Sequence, residues 1–251
     1  MESKTSKEKQ RIRKYVWRLL EERGVATFPR PVYGRIPNFK GADEAAARLS
    51  ETPEWRKARI VKVNPDAPQK WVRLAALRSG KIVVMATPRL REGFLLLDPR
   101  LIPESLYEKA ATIRGAFQLG KKLSIDELRS MGSIDLIVTG SVAIDRKGHR
   151  IGKGEGYAEI EYGIMRDLGL VGEDVLVATT IHDLQLVDYI PREPYDLAVD
   201  IAATPRRLLR FESAEKPPGI IWDMLPCKKF REIPILQDLA RLRNVEKPCR
   251  K

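Results

Sequence analysis

The sequence predicts an α/β fold: a mostly parallel sheet covered by helices on both faces. Three observations carry that expectation. Five short runs rich in β-branched residues, at 60–63, 82–86, 134–138, 175–180 and 197–203, lack the polar alternation of a sheet with one wet face, so each reads as a strand buried on both sides. Most of these runs are separated by segments of helical periodicity, which is what crossovers between parallel strands need. The length, 251 residues, suits one large α/β domain or two small ones.

The elements follow in order. Residues 9–22 form an amphipathic helix in which Ile12, Val16, Leu19 and Leu20 recur at helical spacing among Lys and Arg, and Gly24 ends it. Residues 28–41 hold Pro29, Pro31, Gly34 and Pro37 and form a loop, since proline and glycine at this density prevent regular structure. A short helix follows at 42–49. Between strands, Trp71, Leu74, Ala75 and Leu77 mark one helix, and Tyr157, Ile160, Ile164 and Leu168 mark another. No internal repeat or low-complexity tract interrupts the body. The expected organisation is one α/β domain over 1–205 and a basic C-terminal extension over 206–251.

Charge is uneven. The net charge of +12 comes from 46 Lys and Arg against 34 Asp and Glu; residues 1–30 contribute +5, residues 205–251 contribute +6, and the intervening body is nearly neutral. Basic ends of this kind suit a nucleic acid, or a phosphorylated small molecule if the ends fold over a site, as well as plain solubility. Only three Asn and five Gln are present, a bias compatible with a heat-adapted source. The longest uncharged apolar stretch, 136–144, has nine residues where a bilayer span needs about 20, so no membrane partner is expected. The charged first residues lack an apolar signal core, and a cytoplasmic protein is expected. Cys227 and Cys249 are the two cysteines; without others to complete a zinc set, both read as free thiols.

The segment richest in chemistry is Gly148-His149-Arg150-Ile151-Gly152-Lys153-Gly154-Glu155-Gly156-Tyr157. Glycines at 152, 154 and 156 remove alternate side chains, so main-chain N–H groups can approach an anion and positive φ angles are open. The following helix would present its N-terminal amides to the same anion, and Arg150 and Lys153 add full charges. The spacing matches neither the P-loop nor the dinucleotide fingerprint, so a plain glycine-rich turn stands as the alternative. Asp145, Glu155, Glu159 and Glu161 would repel a phosphate unless Mg2+, which bridges carboxylates and phosphate oxygens, neutralised them. The competing reading is that the acids near 155–161 simply favour a helix N-terminus.

These residues carry a resemblance. The run from Asp135 to Asp145 followed by Gly148, Arg150, Gly152, Gly154, Gly156 and Tyr157 resembles the signature of the 5-formyltetrahydrofolate cyclo-ligase (5,10-methenyltetrahydrofolate synthetase) family. Leu184-Gln185-Leu186-Val187 with Pro191, Pro194, Asp196 and Asp200 is similar to its next motif, and Lys9 with Arg13 to its N-terminal Lys-x-x-x-Arg. The resemblance implies a three-layer, Rossmann-like fold and an ATP- and Mg2+-dependent conversion of 5-formyltetrahydrofolate to 5,10-methenyltetrahydrofolate. It implies Arg150 and Lys153 as catalytic residues and Lys9, Arg13, Gly152, Gly154, Glu155, Gly156 and Tyr157 as nucleotide-binding ones. Glu159 stands where the family has a metal-associated aspartate, and Asp145 is the second metal candidate. Where the family commonly reads Gly-Tyr-Tyr-Asp-Arg, this chain reads Gly156-Tyr157-Ala158-Glu159-Ile160, and Val63-Asn64-Pro65-Asp66 replaces its folate-side Glu-x-x-Thr. The loop also resembles a divergent branch, the methenyltetrahydrofolate synthase domain-containing proteins, some of which add an RNA-binding domain.

His149 and His182 are the only histidines and show no nucleophile or zinc pattern. Trp17, Trp55, Trp71, Trp222, Tyr33 and Phe39 are candidates for stacking on a pterin or for packing, and Asp183 and Gln185 follow a strand end where α/β sheets bind ligands. Three functions are therefore in view: the ATP-dependent cyclo-ligase acting on a reduced folate or related pterin, a non-catalytic nucleotide- or RNA-binding paralogue, and a sugar-phosphate isomerase indifferent to ATP.

Overall fold

The structure is a computed structural model that describes residues 3–212 and 215–250. Its strands are β1 (Ile60–Val63), β2 (Ile82–Ala86), β3 (Phe94–Leu97), β4 (Lys121–Leu123), β5 (Leu136–Thr139), β6 (Ala143–Ile144), β7 (Arg150–Ile151), β8 (Leu176–Thr180), β9 (Ile201–Ala203) and β10 (Leu208–Arg210). Eight of them make one sheet in the order β10-β9-β8-β5-β1-β2-β3-β4, while β6 and β7 pair as a separate hairpin. The pairings β9 with β8, β8 with β5, β5 with β1 and β1 with β2 are parallel. These are the five strands expected from the sequence. The antiparallel pairs β2 with β3, β3 with β4 and β9 with β10 extend both edges. The last expected run is shorter than its composition suggests: pairing starts after Asp200, whose carboxylate accepts from the Val177 amide at 2.7 Å.

The helices are α1 (Lys4–Glu22), α2 (Ala42–Ser50), α3 (Pro53–Lys57), α4 (Lys70–Arg78), α5 (Tyr107–Ala110), α6 (Ile113–Leu119), α7 (Ile125–Ser130), α8 (Tyr157–Asp167), α9 (Cys227–Glu232) and α10 (Pro234–Leu242). Alternate strand residues divide between two cores. Val83 and Met85 face a layer with Leu49, Trp55, Val72 and Leu77, whereas Val84 and Ala86 face one with Ile164, Met165, Leu236 and Leu239. This is a three-layer α/β fold, as expected. Helix α1 starts at Lys4, five residues before the expected residue 9, because Ser3 caps it, accepting from the Ser6 amide at 3.0 Å.

The segment from 206 onward joins this body. Strand β10 lengthens the sheet, Lys216 pairs with Asp200 at 2.9 Å with both side chains buried, and Ile233, Leu236 and Leu239 are wholly buried in the main core. One expectation is corrected: Cys227 and Cys249 form a disulfide rather than two free thiols. Residues 22 apart are brought together because α9, α10 and the returning chain make a compact hairpin, with Pro226 bridging Arg250.

Candidate functional site

The site lies beyond the C-terminal ends of the parallel strands, where the loops after β1, β2 and β5 converge on the turn between β7 and α8, the usual ligand crevice of such sheets. That turn is the glycine loop. Gly154 has φ +103° and Gly156, the N-cap of α8, has φ +72° with no side-chain cap, conformations that penalise any residue with a Cβ. The main-chain amides of residues 153–156 have no protein hydrogen-bond partner among the described residues. Unpaired donors at a helix start are the kind of group an anion site draws on.

Two cavities open on either side of the loop. The first, about 290 Å³, is lined by Lys9 and Arg13 of α1, by Tyr195 and Asp196, and by the C-terminal segment around Ile220 to Lys229. The second, about 380 Å³, is lined by Asn64 and Asp66 after β1, by Thr87 to Arg91 after β2, and by Lys153 and Tyr157. Arg150, Gly152, Glu155, Gly156 and Glu159 border both. Arg150 is fully buried, donates to the Gly140 carbonyl at 2.6 Å and pairs with Glu159, so the partition between the lobes is a fixed guanidinium and its carboxylate.

The remaining charges are arranged around it. Arg13 donates from Nε to the Gly152 carbonyl at 2.7 Å, and its guanidinium carbon sits 3.3 Å from where a Gly154 Cβ would be. Lys153 pairs with Glu155 at 2.7 Å. Burial raises the Glu155 carboxyl, but Lys153, Lys229 and Arg89 outweigh it and hold the group below its ordinary value. Lys9 pairs with Asp196, whose carboxyl burial raises while Lys9 opposes. Burial, with Asp196 and Glu193 nearby, pushes the Tyr195 phenol up to about 12, so it stays a protonated donor. Under the second lobe, Lys62 of β1 pairs with Glu161 of α8, both almost fully buried, and donates to Asn64 at 2.5 Å. Desolvation raises both Glu161 and Asp66.

Of the residues singled out from sequence, Lys9, Arg13, Arg150, Gly152, Lys153, Gly154, Glu155, Gly156, Tyr157 and Glu159 come together here. Asp145 does not. Its carboxylate accepts from the amides of Lys147, His149 and Ile190 and bonds the His149 ring at 2.9 Å, so it closes the β6–β7 turn instead of facing a ligand. His182 accepts from the Leu184 amide and Gln185 is buried against Ser141, both local supports. The tryptophans, Tyr33 and Phe39 border neither lobe; the aromatic residues that do are Tyr157 and Tyr195. Lys62 was signalled by one lysine inside an otherwise apolar strand run. Lys229 had no sequence signal.

Comparisons with known proteins bear on the family and the fold. The sequence profile of the 5-formyltetrahydrofolate cyclo-ligase family matches residues 5–205. The methenyltetrahydrofolate synthase domain-containing proteins of Mus musculus and Homo sapiens are similar, at 42% identity over 245 residues and 40% over 237, covering 95% and 92% of this chain. The chain spans 65% and 61% of those relatives' lengths. The solution structure of Aquifex aeolicus 5,10-methenyltetrahydrofolate synthetase aligns over 83% of this chain and 95% of its own, with a TM-score of 0.50 and 19% identity, a likeness of fold. The chain belongs to the 5-formyltetrahydrofolate cyclo-ligase family.

Proposed function

We propose that this chain is an ATP- and Mg2+-dependent cyclo-ligase that converts 5-formyltetrahydrofolate to 5,10-methenyltetrahydrofolate, releasing ADP and phosphate. The observation that carries the reading is the unpaired amide cradle between two lobes, with Arg150 on the partition: a phosphate held there faces both a nucleotide pocket and a second-substrate pocket. An amide-like formyl oxygen is a poor leaving group. Transfer of the γ-phosphoryl to that oxygen forms a P–O bond and breaks the bond to ADP; attack by N10 on the activated carbon then breaks the C–O bond and expels phosphate, with the N10 proton lost to the phosphate or to water. Such chemistry rests on positioning and charge neutralisation. Lys9 and Arg13 would bind phosphates from the first lobe, Lys153 and the 152–156 amides from the loop, and Arg150 would orient the transferred group. The carboxylates of Glu155 and Glu159 beside the cradle fit Mg2+, a hard cation that commonly takes one or two carboxylates and completes its shell with phosphate and water oxygens. When bound, the ion would screen the negative charge of the transferred group.

The test is turnover of the purified chain with MgATP and 5-formyltetrahydrofolate. Methenyl product formed in step with ADP supports the reading. ATP binding without turnover, together with steeply salt-dependent RNA binding, would favour the non-catalytic paralogue; turnover that ignores ATP would favour an isomerase.

A further inference from the structure

Residues 206–251 lie outside the family match, yet they wall the first lobe. The segment is pinned against α8: a Cβ at Gly163 would lie 2.5 Å from the Ile220 side chain and 3.0 Å from its amide nitrogen, so only glycine lets the chain pass this close. Lys216 anchors its start on Asp200, Ile233 and Leu236 bury its far end, and the Cys227–Cys249 bridge closes the hairpin that carries α9. From this frame Ile221, Met224 and Leu225 contribute apolar surface to the lobe, and Lys229 contributes a cation. The Lys229 ammonium lies 3.4 Å from the centre of the Tyr157 ring, at the first residue of α8, and lowers the Glu155 carboxyl from across the loop. Among the described residues no carboxylate lies within ion-pair distance of it.

That last feature separates Lys229 from Lys9, Arg150 and Lys153; Arg13 also lacks a paired carboxylate, but its guanidinium is taken by the Gly152 carbonyl. Lys9 is held by Asp196, Arg150 by Glu159 and Lys153 by Glu155. The first lobe is bordered by four cationic and four carboxylate side chains; without Lys229 the carboxylates would outnumber the cations around a pocket meant for an anion. We propose that the C-terminal segment completes the nucleotide site, with Lys229 binding a phosphate of ATP and the Ile221–Met224–Leu225 surface receiving the base. The inference rests on the reading of the first lobe as the nucleotide pocket, and it adds a binding residue that lies outside the family match.

Titration of the oxidised 251-residue chain with MgATP, followed by calorimetry, tests it. Lys229→Met should weaken binding about tenfold, the loss of one charge-assisted phosphate contact, and Lys229→Arg should retain affinity. Lys228→Met is the control, because Lys228 is exposed, pairs with Glu232 and borders neither lobe. Thermal melts of each variant separate binding from folding. Wild-type affinity in Lys229→Met, with the wild-type chain binding normally, would overturn this inference and leave the proposed function standing. Equal weakening by Lys228→Met would also overturn it, as a diffuse charge effect. Failure of the wild-type chain to bind MgATP would remove both.

Discussion

Replacing Lys62 with methionine isolates the buried pair under the second lobe. Lys62 and Glu161 have side chains 2% and 4% exposed, so the substitution leaves a carboxyl with neither solvent nor cation. Removing one partner of such a pair costs about 3–5 kcal/mol, which for a chain of this size lowers the melting temperature by roughly 6–20 °C. The pH dependence is the sharper test. Burial already raises the Glu161 carboxyl while Lys62 opposes the rise, and Asp66 and Glu159 add to it; without Lys62 it climbs further. A carboxyl raised in the folded state favours folding below its unfolded value and loses that contribution as pH rises through the folded value. The Lys62→Met deficit should therefore be larger at alkaline pH and shrink as the pH falls toward about 4, the unfolded carboxyl range. The Lys62→Met/Glu161→Leu double variant should regain most of the loss, since an apolar pair of similar volume is often neutral or better. Denaturant unfolding of the three proteins across that pH range is the assay. A deficit that is independent of pH, or below about 1 kcal/mol, would refute the buried-charge argument.

Other expectations follow from the loop and the C-terminal hairpin. Lys153→Ala should weaken MgATP binding roughly 10–100-fold, the range of a charge-assisted contact, with little change in melting temperature because the side chain is about one-third exposed; wild-type affinity would refute the loop assignment. Gly154→Ala must hold a Cβ at φ +103° against the Arg13 guanidinium, so it should cost about 1–3 kcal/mol of stability and weaken ATP, measured by melts and titration. Reducing Cys227–Cys249 releases a 22-residue loop, worth about 3 kcal/mol in chain entropy, so reductant should lower the melting temperature, whereas a Cys249→Ser variant should be insensitive to it.

The five central strands were legible because a run of buried β-branched residues has one physical explanation, a strand covered on both faces. Strands β3, β4 and β10 were not. Lys121 and Lys122 make β4 polar, β10 ends in Arg210, and both are edge strands whose charged residues discourage further pairing. The glycine loop was legible because alternate glycines leave a chemical mark in one short segment. The lobes were hidden for the opposite reason: Lys9 meets Asp196 across 187 residues, and Asp66, Arg89 and Lys153 converge from three separate strand ends. Asp145 misled because it is one of the acidic residues that accompany the loop in sequence, yet the short hairpin turns its carboxylate onto neighbouring amides. Two cysteines gave no sign of their pairing, which depends on where α9 and α10 fold.

Some of the basic residues at the two ends are paired across the fold, and this bears on what the loop can bind. Arg207 pairs with Asp183, Arg210 with Glu54, Lys216 with Asp200 and Lys9 with Asp196, so basic residues of both ends are matched by carboxylates of the body. The net charge of +12 still draws anions from a distance, but at the loop itself local pairs decide how an anion is seated. There Glu155 and Glu159 stand within the cradle, each already on a cation. A triphosphate entering alone would have to displace both carboxylates or lie against them, and like charges about 4 Å apart cost about 4 kcal/mol at an effective dielectric near 20. A divalent cation removes that conflict by taking carboxylate and phosphate oxygens together. ATP with EDTA should accordingly bind at least tenfold more weakly than ATP with Mg2+, and Glu159→Gln should narrow the gap by removing one repelling charge. Equal affinity with and without the cation would show that the two carboxylates turn away from the phosphates, and the loop's electrostatics would have to be argued anew from Arg13 and Lys229.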